Sequence, residues 1–246
     1  MPRFFSPNHD FWPLYEHISQ YYALGLIPEY PEQIVSPSNN RKLEAQLVEN
    51  IHDEVRFQKW QEFEKEIAAA VRLPLIGNTY GQAPCFSTIV EIEQTAVGNQ
   101  VLTKELFLAV SLLGPFYIVL GRDQLVTTLP EAVVRTTSHL TISPQDAYKQ
   151  AFETVCAHIE KRFTGYRFVP FKVATHYLSG LQIRTNEHHH NPILYALFND
   201  QIDVQAQTVG DTSYGAAAWL RADAQNQGRW IIGPPTTSQA DPSANA

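Results

Sequence analysis

Between Leu106 and Gly121 the chain runs for sixteen residues without a charged side chain, and no other stretch limits the possible folds as much. It falls short of the roughly 20 apolar residues that a helix needs to span a bilayer, and Gly114-Pro115 cuts it in the middle. It reads as two buried strands joined by a turn. The neighbouring sequence has the same period of two. Phe86, Thr88, Val90 and Ile92 alternate with Glu91, Glu93 and Thr95, and after a turn at Gly98-Asn99 a second strand runs from Leu102 to Leu112. Phe116 to Leu120 forms a third strand, and Gly121-Arg122-Asp123-Gln124 is expected to turn into a fourth at Leu125 to Leu129. Links this short imply an antiparallel meander over residues 85–129.

Two helical segments flank it in sequence. From Arg41 to Val71 there is no Gly or Pro, which predicts one helix or two abutting ones about 45 Å long. Leu43, Leu47, Ile51 and Val55 share one sector of that helix, whereas Trp60, Phe63, Ile67 and Val71 lie well over 100° away. The helix must therefore bend or break near Arg56 to Lys59, or its halves must pack against different parts of the protein. Ser143-Pro144-Gln145-Asp146 has the chemistry of a helix start. The helix that follows, residues 144–163, carries Tyr148, Ala151, Phe152, Val155, Cys156, Ile159 and Phe163 on one face. A short helix is expected near Phe11 to Tyr22. Residues 166–232 hold apolar runs too short to assign. The tail at 233–246 has no aromatic or aliphatic anchor and is expected to be disordered.

The expected architecture is α+β: four to six antiparallel strands centred on the 85–129 meander, flanked by the 41–71 and 144–163 helices. Residues 1–232 form one domain with a helical N-terminal part (1–72). With 44% hydrophobic residues in a chain of 246, the core needs no disulfide or metal staples. Cys85 and Cys156 are too few for a disulfide scaffold and match no redox motif, which favours a reducing cytoplasm. The first sixteen residues are broken by Pro2, Pro7, Asn8, His9, Asp10 and Pro13, so they do not read as a secretory signal.

The net charge of -7 disfavours a generic partner among polyphosphates, nucleic acids or anionic membranes. The negative charge comes mostly from the N-terminal loop and the C-terminal third, where a basic partner would be sought first.

Several residues could carry chemistry, and each has a plainer reading beside it. In Glu187-His188-His189-His190 an extended chain points His188 and His190 the same way, as a metal would need. A site requires three or four ligands, however, and the plainer reading is a solvated loop. Glu49 and His52 stand three apart on the long helix, as in carboxylate-bridged di-metal bundles, but without a second helix of that pattern they read as its wet face. Cys85 would be a nucleophile if His139 or His176 approached it, and is otherwise a buried structural thiol. Cys156 falls within an apolar stripe and reads as core. Lys161, Arg162, Phe163, Tyr166, Arg167, Phe168, Phe171 and Lys172 interleave cations with rings, as in single-strand nucleic-acid binding. Equally, the cations suit a helix C-terminus and the rings suit a core. Glu91 and Glu93 are placed on one solvent-facing strand surface.

No Gly-x-Ser-x-Gly, Ser-x-x-Lys, Gly-x-x-x-x-Gly-Lys or Gly-x-Gly-x-x-Gly occurs. The reading that follows is a non-enzymatic acidic module that masks a protein partner, in the manner of an inhibitor or immunity protein. The alternative is a hydrolase or metal enzyme using Cys85 or the His188/His190 cluster.

Overall fold

The computed structural model describes residues 4–5, 8–22, 24, 37–79, 81, 83–130, 133–183, 190–221 and 231–232. In chain order the elements are β1 (Phe4–Phe5), α1 (Trp12–Tyr21), α2 (Pro37–His52), α3 (Glu54–Val71), β2 (Leu75–Gly77), β3 (Cys85–Val97), β4 (Gln100–Ser111), β5 (Phe116–Thr128) and β6 (Val134–Thr141). They continue with α4 (Lys149–Arg162), β7 (Arg167–Phe168), α5 (Phe171–Ala174), β8 (Tyr177–Ser179), β9 (His190–Pro192), α6 (Ile193–Leu197), β10 (Gln207–Val209) and β11 (Ile231–Ile232).

The fold is α+β, as the sequence predicts. Its centre is a seven-stranded sheet in which β3 to β6 form the antiparallel meander, extended at the edges by β2 and β10, with β7 beside the start of β5. The uncharged stretch is the second half of β4, the link at 112–115 and the first half of β5. One expectation fails here: Gly121 to Gln124 is no turn, because β5 continues through it to Thr128, and the fourth long strand is β6 at 134–141. Gly121 serves close packing instead. A Cβ there would lie 2.8 Å from Thr141 Cβ and 2.9 Å from the Tyr148 ring.

The two halves of the meander differ in burial. Residues 85–90, 106–111 and 116–121 are buried on both faces of the sheet, whereas 91–97, 100–105, 122–128 and 134–138 project beyond the covering layers. A register shift between Glu91 and Glu93 marks the boundary. Glu91 stands opposite Glu105, and Glu93 opposite Lys104. Consecutive residues on a strand point to opposite faces, so Glu91 and Glu93 lie on different faces and not on one shared solvent side. Glu93 pairs with Lys104 at 3.4 Å, while Arg122 forks onto Glu105 at 2.6 and 3.0 Å.

The long helical segment breaks at Asp53, whose side chain accepts the Arg56 N–H at 2.9 Å and so caps α3. The break explains the shift of apolar face. Leu43 and Leu47 of α2 join the core on one face of the sheet, with Ile89, Phe107, Ile118 and Leu120. Trp60, Phe63 and Ile67 of α3 join the core on the other, with Val90, Leu108, Tyr117 and Val119. Val55 is exposed, and α2 begins at Pro37, four residues before the expected start. Helix α4 lies beside α3 and buries its predicted stripe from Ala151 to Ile159. It starts at Lys149 after a 3₁₀ turn, and Ser143 is not its cap. The Ser143 hydroxyl instead accepts the Asp211 N–H at 2.9 Å. Among the described residues no helix is long and apolar enough to cross a membrane.

Candidate functional site

The first face of the sheet is covered by α1, α2 and the described residues between 169 and 221, which places an early and a late segment of the sequence side by side. The backbone of Asp10 donates to Trp219 at 2.8 Å, and that of Arg221 donates to Asn8 at 3.0 Å. Phe11 packs on the Trp219 ring with centroids 5.4 Å apart, and the Tyr22 hydroxyl donates to the Ala196 carbonyl at 3.0 Å. Gly215 precedes the 3₁₀ turn that carries Trp219, and its φ of +80° and its close contact with the Phe168 ring both exclude a side chain.

Apart from α2, where Arg41 and Lys42 are exposed, and from Lys172 and Arg221 at its limits, this layer is one-sided in charge among the described residues. Described residues 8–24 and 173–220 include Asp10, Glu16, Asp200, Asp203 and Asp211, and no Lys or Arg. The opposite layer, α3 and α4, mixes both signs, and Arg162 lies 3.8 Å from both Glu62 and Glu66. Within the acidic layer Asp200 and Asp203 are exposed beside two tyrosines. Tyr195 donates to the Ile202 carbonyl at 3.2 Å, and Gln205 donates to the hydroxyl of Tyr177, which is 44% exposed. Burial raises the Tyr195 pKa above its ordinary value, with Tyr177 and then the two carboxylates adding to the effect. Asp211 is held below the usual carboxylate range by the hydroxyl and the N–H of Ser213. Sequence reasoning pointed to these two regions through their charge. It did not single out Tyr177, Tyr195, Asp200 or Asp203, whose signal was the missing cations between Lys172 and Arg221 outside Arg184.

The other candidates are dispersed. Cys85 is 1% exposed, and burial pushes its thiol up to about 12, with the Ser87 hydroxyl acting in the opposite direction. His139 is paired across the sheet, through Asp123 and Lys104, with Glu93. Eight residues of strand separate Glu93 from Cys85, about 26 Å at the usual rise, and Glu93 and Cys85 lie on opposite faces. His176 donates its N–H to Val173 and accepts the Ile193 N–H through its backbone, and its ring is half-buried and made less basic by burial. Cys156 is core, with its thiol also pushed to about 12, chiefly by burial. Both thiols are expected to be silent toward a disulfide reagent at pH 8, where roughly one in ten thousand is a thiolate. Ellman titration is expected to read zero fast equivalents on native protein and two after denaturation; a fast native equivalent would contradict the placement of Cys85.

His188, His189 and Glu187 lie outside the described residues, as does the tail at 233–246. His190 is exposed on β9, with its Nδ1 accepting the Gly180 N–H at 3.4 Å. Glu49 and His52 are exposed at the end of α2. Among the described residues no three or more His, Cys, Asp or Glu side chains are grouped to hold a metal ion. In the basic-aromatic run, Arg162 faces acids and Arg167 lies over the Trp219 ring at 5.3 Å. Phe168 and Phe171 are buried, and Phe163 and Tyr166 pack against the core. Comparison with protein-family models, with curated proteins and with solved structures finds no match to the chain.

Proposed function

We propose that the chain is a non-enzymatic protein-binding module of the masking kind, working in a reducing compartment and docking a partner with a basic surface on the layer made by α1 and residues 173–183 and 190–220. The observation that supports this reading is that two segments far apart in the sequence pack together and that, among their described residues, they carry five carboxylates, exposed tyrosine and no Lys or Arg. Tyrosine supplies a large contact area with little entropy to lose, and a one-signed surface steers an oppositely charged partner before contact. Two free, buried cysteines are compatible with a reducing setting. A hydrolase working through Cys85 has against it a thiol that stays protonated at any physiological pH.

The test is affinity capture from the source cell's lysate at low salt, with the native protein and with the triple variant Glu16→Lys, Asp200→Lys, Asp203→Lys run in parallel. A basic protein is expected on the native protein only, with an association rate at least about tenfold slower for the variant and a difference that shrinks in high salt. Retention of the same proteins by both, or of acidic proteins alone, would remove the basis of the proposal.

A further inference from the structure

Where α2 gives way to α3, the chain passes around one end of the sheet, and a cavity of about 220 Å³ lies beneath that corner. Its buried lining is Asn50, Ala83, Cys85 and Phe86, and Phe57, 43% exposed, stands with Gly81 at the rim. Asn50 is only 6% exposed. Its carboxamide oxygen accepts from the Arg56 guanidinium, which braces the corner, but its amide nitrogen has no hydrogen-bond partner among the described residues. A buried donor without an acceptor is an uncommon and costly arrangement, and it is met here beside space.

The remaining chemistry of the lining narrows what that space would hold. No described lining residue is charged, and the Cys85 thiol is protonated, so an ion would find no counter-charge. Apolar cavities of roughly 150 Å³ hold benzene, so this one has room for a single ring with a short substituent. The geometry points to a binding site for a small uncharged molecule, an apolar ring bearing one carbonyl-type acceptor, with the ring against Phe86 and Ala83 and the acceptor taking the Asn50 amide N–H. The site is independent of the acidic layer, since none of the charged or tyrosine residues argued to dock a partner lines it.

4-Fluoroacetophenone is a suitable probe, followed by fluorine NMR on the full chain, with 4-fluoroethylbenzene as the analogue without an acceptor. The ketone is expected to bind saturably at one site. Asn50→Leu is expected to weaken the ketone about tenfold while changing the ethylbenzene by less than about twofold, because only the ketone loses a hydrogen bond. Ala83→Leu, which fills the floor, is expected to abolish both. Should Ala83→Leu fail to fold, Gly81→Leu at the rim provides the same block. No saturable binding, binding that survives the filling variant, or equal losses for the two probes in Asn50→Leu would overturn the inference.

Discussion

Replacing Trp219 with alanine is expected to lower the free energy of unfolding by about 4 kcal/mol, a large share of the 5 to 15 kcal/mol that roughly spans ordinary domains. The indole is 1% exposed, packs on Phe11 and Phe116, and donates its N–H to the Phe168 carbonyl at 2.6 Å. Alanine would leave a ring-sized void and an unpartnered carbonyl, and would free Arg167 from the ring beneath it. Trp219→Phe keeps most of the packing and should cost only about 1 to 2 kcal/mol, mainly for the lost hydrogen bond. Urea unfolding followed by circular dichroism measures both. An alanine variant within about 1 kcal/mol of the parent would mean that the ends of the chain are not joined through this residue.

The second large effect is expected on the other face of the sheet. Phe63 of α3 is fully buried against Trp60 and Phe163, and Phe63→Ala should cost about 3 to 5 kcal/mol. Because the strands lie between Phe63 and Trp219, the two sites should act independently. A cycle built from the milder Phe63→Leu and Trp219→Phe should be additive within about 0.5 kcal/mol. A coupling above about 1 kcal/mol would show that strain passes through the sheet from one layer to the other.

The parts of this fold that could be read in the sequence are those with one repeating signal. The alternation in β3 and β4, the uncharged turn between β4 and β5, and the 3.6-residue stripe of α4 each state their environment residue by residue. The jump in apolar face between Leu47 and Trp60 left two readings open, a bend or break near Arg56 to Lys59 or two halves packed against different parts of the protein. What that pattern could not place was the break, because Asp53 works as a cap through one local hydrogen bond and leaves no periodic trace. Gly121 was misread for a related reason. Glycine, arginine and aspartate together resemble a turn, yet the glycine makes room for Tyr148 and the arginine is held by Glu105 across the strand. Apart from α1, whose helix the sequence predicts, the acidic layer is visible only as charge. Its later elements α5, β8, β9 and α6 are three to five residues long, so each buries its few apolar side chains by tertiary contact and shows no period of its own.

The bridge between His9 and Leu220 also has a bearing on how the protein is made. A ribosome delivers residues 8–22 first, whereas the α6 helix that receives Tyr22 follows 174 residues later and the indole of Trp219 later still. Phe11, Leu14 and Ile18 must therefore wait, exposed or loosely held, while the meander assembles from its local hairpins, and the first layer can close only when residue 221 is free of the exit tunnel. Translation would thus leave one face of the sheet uncovered until residue 221 has emerged, and any chaperone that attends this chain should be found on the half-finished molecule, against the apolar side of the first helix.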